Sequence, residues 1–428
     1  MKFKTLDSKE IELNIPPKLL KIAEDIQAEN GRAFLVGGFV RDSLLGILNS
    51  RDYDIEVYHL SQETLLKILS RYGKVNIVGK AFGVFHLAMH GLSLDFSFPR
   101  TESKIGKGHR GFIVETHTNL TFKEAAARRD FTINAMGMEL PSLELCDPYG
   151  GREDLKNGIL KHVSMAFCED SLRILRGVQF ASRFHLKLDA STIALCKTLS
   201  LEDLSRERIL EEFKKWFLKP GKPSVGLKAF LQIDLLKFFP EIKPLDNSYE
   251  KLGEFLDNIS EASRNFDDET RLILSFSALL FANKDLNEVQ KFLEKITNEI
   301  RTLKEVPLFL KYAFTLSLNE KIPEDKTIRR LSVAFSGLKY FLTFITANPV
   351  YTKESRIFYF DSFKKQAELL GVYDEAPVPF LTGKFLKLLG VKQGKAMGIL
   401  IKECFEMQLD GIIRTKEDAE NFARKRLS

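Results

Sequence analysis

Between about Ala33 and Asp147 the apolar positions alternate between two periods. The runs FLVGG, DIEVY, KVNIVG, GVFHLAM and LSLDFSF are rich in β-branched and aromatic residues and bounded by Gly, Asn or Asp, which predicts strands. Between them, FVRDSLLGIL and SQETLLKILSRY space their apolar residues at three and four, the period of a helix. A mixed α/β head built on one sheet is expected. After the turn-rich DPYGGREDLKNG the pattern becomes almost wholly helical. EDSLRILRGVQFASRF, SRERILEEFKKWFL and ETRLILSFSALLF all carry the three-and-four spacing. KPGKPS near Pro220 and YDEAPVPFLTG read as joints between helical units. No internal repeat or low-complexity tract interrupts the pattern.

Composition changes this picture little. A chain of 428 residues, 44 % of them apolar, has material for several packed units. Lys and Arg outnumber Asp and Glu by 64 to 58, a mild excess compatible with a polyanionic partner. The four cysteines, Cys146, Cys168, Cys196 and Cys404, are scattered without a Cys-x-x-Cys pair. Reduced thiols are therefore expected rather than a zinc site or a disulfide framework. MKFKTLDSKEIELN lacks the apolar core of a secretory signal, and the longest apolar stretch, Leu272 to Ala282, is broken by serines and too short to span a bilayer. A cytoplasmic protein with no membrane association is expected.

Candidate chemistry begins at FLVGGFVRDSLLG, a strand, a Gly-Gly turn and a helix start. Gly37 and Gly38 would let the backbone approach a phosphate at a helix N-terminus, with Arg41 in the first turn within reach of a triphosphate. Gly-Gly before a helix is more often a plain tight turn, and that is the competing reading of these residues. Asp52-Tyr53-Asp54 follows and enters the strand IEVY. Positions i and i+2 on a strand share a face, so the two carboxylates converge. Adjacent like charges are costly unless a cation lies between them, and hard oxygen ligands suit Mg²⁺. Two ions roughly 4 Å apart can activate a hydroxyl and steady a leaving group. The competing reading is an exposed strand entry. Asp95, inside the otherwise apolar LSLDFSF, is a candidate third acid, because a carboxylate without a ligand is expensive there.

GGFVRDSLLG with DYD, RRDFTINAM (Arg128 to Met136), DPYGGREDL (Asp147 to Leu155) and EDSLRILRGVQFASRF (Glu169 to Phe184) together resemble the class II tRNA nucleotidyltransferases, the CCA-adding enzymes and bacterial poly(A) polymerases. PFLTGKFLKLLGVKQGKAMG and QLDGIIRTKEDA are similar to the family's C-terminal region. The resemblance implies an α+β protein: a polymerase-β-like nucleotidyltransferase head with a mixed sheet at 1–147, then an all-α neck at 148–219, body at 220–372 and tail at 373–428. It implies CTP and ATP as substrates, tRNA as partner, Mg²⁺ held by Asp52 and Asp54, and no obligate protein partner. Asp95 would help orient the attacking hydroxyl. Arg129 would contact nucleotide, while Asp130 and Asn134 hold local structure. From the residues alone, Arg128-Arg129 also reads as a solvated charge pair closing a helix.

The resemblance further implies that Asp170 and Arg173 read the incoming base, with Arg176 as another nucleotide contact. Cytosine and adenine both offer an amino donor beside a ring-nitrogen acceptor. A carboxylate next to a guanidinium complements that order, whereas uracil and guanine reverse it. On a continuous helix, Asp170, Arg173 and Arg176 would form one stripe, with Leu172, Leu175 and Val178 turned toward a core. An ordinary intrahelical ion pair is the alternative. Where relatives often carry another arginine, this chain has Gln179, which would make a weaker, uncharged contact. Pro99 to Asn119 is expected to be a mobile loop resembling the family's C-to-A switching loop, with Arg100 and Glu102 as candidate functional residues. RLILSFSALLFANKD carries no His-Asp pair, so no phosphohydrolase activity is expected. The basic tail segments KFLKLLGVKQGKAMG and ENFARKRLS are candidates for holding RNA phosphates. Three readings compete with full CCA addition: addition of the terminal A or poly(A) alone, transfer to a protein or small molecule, and RNA binding on a retired catalytic head.

Overall fold

The computed structural model describes the chain apart from residues 1, 5, 7–9, 14, 48–51, 79–82, 90, 105–111, 117–119, 220, 317–321, 352–358 and 428. Its backbone gathers into two compact units, Met1–Phe239 and Pro240–Ser428. The first opens with a short antiparallel pair, β1 (Lys2–Lys4) and β2 (Glu10–Glu12), and α1 (Pro17–Ala28). The head sheet follows. Its strands are β3 (Arg32–Val36), β4 (Asp52–Tyr58), β5 (Val75–Val78), β6 (Val84–Met89), β7 (Leu92–Ser97), β10 (Gly137–Leu140) and β11 (Leu145–Cys146). Their spatial order is β11-β10-β3-β4-β7-β6-β5, antiparallel except for the parallel β4–β7 pair, so the sheet is mixed as expected. Helices α2 (Gly38–Leu44) and α3 (Gln62–Leu69) interleave with these strands.

Burial explains the strand periods. From Ala33 to Val36 every residue of β3 is buried, as suits a central strand covered on both faces. Along β4, Tyr53, Ile55 and Val57 are buried while Asp52, Asp54 and Glu56 take the other face. The turn into α2 needs Gly37, whose φ of 69° and ψ of −129° lie where only glycine is comfortable.

The described part of the stretch read as a mobile loop is a strand pair. β8 (Arg100–Lys104) and β9 (Phe112–Thr116) form a separate antiparallel pair, Arg100 opposite Thr116. Phe112, Ile113, Val114 and Thr116 give β9 a strand propensity that the Gly and Lys content of the stretch obscured. The tip itself, and the side chains of Arg100 and Glu102, lie outside the described residues.

The DPYGG turn has a local cause. Asp147 accepts from Gly151 N at 2.7 Å and Arg152 N at 2.9 Å, satisfying first-turn donors of α5 (Gly151–Lys156). A Cβ on Gly151 would stand 2.1 Å from the Thr132 carbonyl oxygen, which is backbone and cannot swing aside. Gly151→Ala is therefore expected to destabilise the first unit by about 1–3 kcal/mol. A lowered urea midpoint checks this; an unchanged midpoint would show that α5 yields without cost.

Beyond α4 (Phe122–Ala126), β12 (Ile159–Leu160) and β13 (Lys187–Leu188), the first unit ends in α6 (Leu172–Phe184), α7 (Ala190–Lys197), α8 (Arg206–Leu218) and α9 (Pro223–Gln232). α6 packs against both α8 and α9.

The second unit is helical: α10 (Tyr249–Ala262), α11 (Asp268–Leu280), α12 (Leu286–Ile296), α13 (Ile300–Leu316), α14 (Asp325–Phe335), α15 (Lys339–Ala347), α16 (Asp361–Leu369), α17 (Gly383–Leu388), α18 (Lys395–Leu409) and α19 (Lys416–Leu427). Leu272 to Leu280 is buried without a break, so α11 is the central helix of this unit, and its two buried serines, Ser275 and Ser277, bond back to the carbonyls of Arg271 and Ile273. The last three helices share a small core around Leu386, Cys404, Ala419 and Ala423. Among the described residues, no helix is long and apolar enough to cross a membrane.

Candidate nucleotide and metal site

The head sheet brings the three candidate acids onto one face. In the parallel β4–β7 register Asp54 lies opposite Asp95, and Asp52 opposite Ser93. Directly registered residues share a face, so Asp52, Asp54 and Asp95 form one acidic patch. Asp54 keeps solvent access at its tip, yet the walls of the cleft strip away much of its hydration. That desolvation, then the Asp95 charge, hold its carboxyl above the usual range, with Arg129 opposing and Asp52 adding to the push. A site crowded with repelling acids suits a cation. Among the described residues no three His, Cys, Asp or Glu side chains make a preformed cage. The donor set still fits a magnesium-like ion, which is commonly held by one or two carboxylates together with substrate phosphates.

Three of the sequence motifs meet in one buried network. Arg41, 4 % exposed, donates from Nη1 to Asn134 Oδ1 at 2.6 Å. Asn134 Nδ2 donates to Asp130 Oδ1 at 3.1 Å, and Arg176 Nε donates to Asp130 Oδ2 at 2.7 Å. Phe131 N adds a further bond to Asp130 at 2.7 Å. Burial alone would raise the Asp130 carboxyl, but Arg176, Asn134 and Phe131 outweigh it and hold it below the usual range. The expected structural role of Asp130 and Asn134 is thus visible as a tie between α2 and α6. Arg41 also pairs with Asp42 at 2.8 Å, so its guanidinium is largely committed.

Beside this network opens a cavity of about 620 Å³ whose lining includes Gly37, Gly38, Arg41, Asp54, Arg129, Asp170, Arg173, Arg176 and Gln179. A second cavity of about 390 Å³ is lined by Glu56, Asp95, Arg128 and Phe98 among others. Asp54, Arg129 and Arg173 line both. Arg128 and Arg129 are not a solvated pair: Arg128 bonds Glu169, and Arg129 reaches Glu56 at 3.4 Å.

Asp170, Arg173 and Arg176 do not form the single helical stripe expected from their spacing. Asp170 precedes α6, capping the short 3₁₀ turn Met165–Glu169 with extended backbone, and the helix starts at Leu172. Asp170 makes no intrahelical ion pair with Arg173. Its Oδ1 accepts from Leu172 N at 3.1 Å and its Oδ2 from Arg208 at 2.8 Å. Arg173 instead donates to two carbonyls, Ala166 O at 2.6 Å and Arg128 O at 2.8 Å. An acidic residue at the mouth of a helix is favoured as a cap, and that local bond removes Asp170 from the helical period. Leu175 and Val178 are buried as expected, but Leu172 is only half-buried and lines the larger cavity. Gln179 is buried in the same wall.

Sequence reasoning missed the contribution of α8. Arg208, Lys215 and Lys219 line the larger cavity, as does Arg183 of α6. The signal was present in SRERILEEFKKWFLK, where Arg208, Lys215 and Lys219 recur at seven and four on a helix face beside that of Ile209, Phe213 and Trp216.

A mixed sheet bearing paired acids beside an arginine-lined cavity defines a nucleotidyltransferase-type head, and residues 33–161 match the poly A polymerase head domain. The CCA-adding enzyme of Ligilactobacillus salivarius is 33 % identical over 430 residues, covering 97 % of this chain and 98 % of that protein. The chain belongs to the CCA-adding enzyme family. The multifunctional CCA protein of Chromobacterium violaceum is 39 % identical over 221 residues, but that match spans 50 % of this chain and only 51 % of the relative. Solved structures share the fold. A Thermotoga maritima CCA-adding enzyme complexed with tRNA aligns at a TM-score of 0.66 and 22 % identity, covering 97 % of each chain. A CCA-adding enzyme complexed with CTP aligns at 0.70 and 23 %, covering 97 % of this chain and 96 % of that one.

Proposed function

We propose that this chain adds C, C and A to the 3′ end of tRNA without a nucleic-acid template, using CTP and ATP and releasing pyrophosphate. The observation that carries this reading is the meeting of two cavities at Asp54, Arg129 and Arg173. A transfer between two substrates needs two chambers that share one reactive edge, and the larger, arginine-lined one suits a nucleoside triphosphate. The RNA 3′-hydroxyl oxygen attacks the α-phosphorus as its proton passes to water, and the bond from that phosphorus to the α,β-bridging oxygen breaks, so pyrophosphate leaves with the oxygen.

Nucleotidyltransferases of this family generally use a divalent metal, and we assign Mg²⁺, held by Asp52 and Asp54. The ion, when bound, supplies charge stabilisation to the leaving pyrophosphate and lowers the cost of ionising the hydroxyl. Asp95 orients the hydroxyl from the smaller cavity. Gly37 and Gly38 let the phosphates approach the start of α2, while Arg129 and Arg176 contribute positive charge beside them. Arg41 acts chiefly by fixing this wall. Asp170 and Arg173 read the base edge, and Gln179 closes the wall behind them. The division into head, neck, body and tail at 147, 219 and 372 is retained as part of this reading, with the tail holding tRNA. The four free thiols are compatible with a cytoplasmic setting.

The test supplies tRNAs ending before CCA, after C and after CC, each with one labelled nucleotide at a time. CTP use on the first two and ATP use on the third is expected. ATP use on the third alone would make this an A-adding enzyme, runs of A would make it a poly(A) polymerase, and no incorporation would overturn catalysis.

A further inference from the structure

Four polar side chains stand in a row across four adjacent strands. Asn76 of β5 is registered with His86 of β6, His86 with Asp95 of β7, and Asp95 with Asp54 of β4. His86 therefore flanks Asp95 on the side away from Asp54. Its Nδ1 lies 2.7 Å from Asp95 Oδ1. An ionised carboxylate only accepts, so Nδ1–H donates and Oδ2 is left outside that bond. Asp95 is 41 % exposed and His86 29 % exposed. A carboxylate with that much freedom, repelled by Asp54, would otherwise spread over several rotamers toward water.

We propose that His86 is a positioning residue for the metal site: it pins the Asp95 carboxylate so that its second oxygen faces the Asp52–Asp54 pair. This inference rests on the metal reading given above. A histidine bonded to a carboxylate that itself faces a cation fixes the carboxylate plane, and loss of such outer partners costs about 10–100-fold in metal affinity or activity. A bland cross-strand pair, worth only sheet stability, would leave metal affinity unchanged. His86 does not line either cavity described above, so its removal should leave nucleotide contacts intact.

The experiment measures Mn²⁺ binding to the nucleotide-free full chain by electron paramagnetic resonance, alongside steady-state incorporation. His86→Leu is expected to weaken Mn²⁺ about tenfold and lower kcat by a similar factor, with KM for CTP unchanged. His86→Asn places an amide donor near the Nδ1 position and should restore most of both. Unchanged Mn²⁺ affinity in the leucine variant, or an asparagine variant no better than leucine, overturns the proposal. Asp54→Asn serves as the reference. If it abolishes Mn²⁺ binding while His86→Leu leaves the affinity unchanged, the positioning role alone fails. If neither variant alters binding, the metal assignment fails as well.

Discussion

Replacing Asp54 with alanine is expected to reduce nucleotide incorporation by about 10³-fold or more while leaving the fold intact. A metal ion at a transferring phosphoryl group supplies several kcal/mol of transition-state stabilisation, and each 1.36 kcal/mol is tenfold in rate. Asp54 is the acid on which the site converges: it faces Asp95 across the parallel strand pair and lines both cavities. Its crowding also sets the sign of the stability effect. Desolvation and the neighbouring carboxylates disfavour its charge in the folded protein. Removing that charge relieves repulsion, so Tm of the metal-free protein should hold or rise as activity disappears. A residue kept for function at a cost in stability behaves this way. Incorporation within tenfold of the parent would sink the metal assignment. A sharply lowered Tm would show that Asp54 supports the fold instead.

The head was legible because its strands are short, apolar and punctuated, and because two-residue periodicity assigns faces without tertiary information. Asp52 and Asp54 could be placed on one face from spacing alone. That Asp95 joins them needs the β4–β7 pairing, a contact between strands separated by two others in sequence. The motif RRDFTIN gave no hint that Asn134 would link Arg41 to Asp130, since that network closes only when α2 and α6 lie against it. Asp170 failed for the opposite reason. Its bond to Leu172 N is local, yet helical spacing extends smoothly through EDSLRILRG and conceals where the helix begins. His86 was hidden by strand alternation, which fixes its face but not its partner.

Because Asp170 lies outside the helix, it and Arg173 remain free to face a base. An intrahelical Asp170–Arg173 pair would have spent both charges on each other, leaving little to read a base. Instead each group is held from behind, Arg173 by the carbonyls of Ala166 and Arg128, Asp170 by Arg208 and Leu172 N. A carboxylate has about four acceptor sites and a guanidinium five donors, so both retain capacity toward the cavity they line. The carboxylate would accept from the amino group of cytosine or adenine while the guanidinium donates to the ring nitrogen. Uracil would set oxygen against carboxylate and a protonated nitrogen against guanidinium, leaving buried groups unpaired at about 1–3 kcal/mol each. Arg173→Ala is therefore expected to lower the CTP-over-UTP ratio of kcat/KM by about 10–100-fold, each 1.4 kcal/mol being a factor of ten. Asp170→Ala should do the same, and Arg208→Ala should fall between, because it frees the carboxylate without removing it. Competition between labelled CTP and UTP on a tRNA ending before CCA measures all three. If the ratio survives in Arg173→Ala, discrimination resides elsewhere in the cavity, and the carbonyl bonds of Arg173 serve only to close the turn before α6.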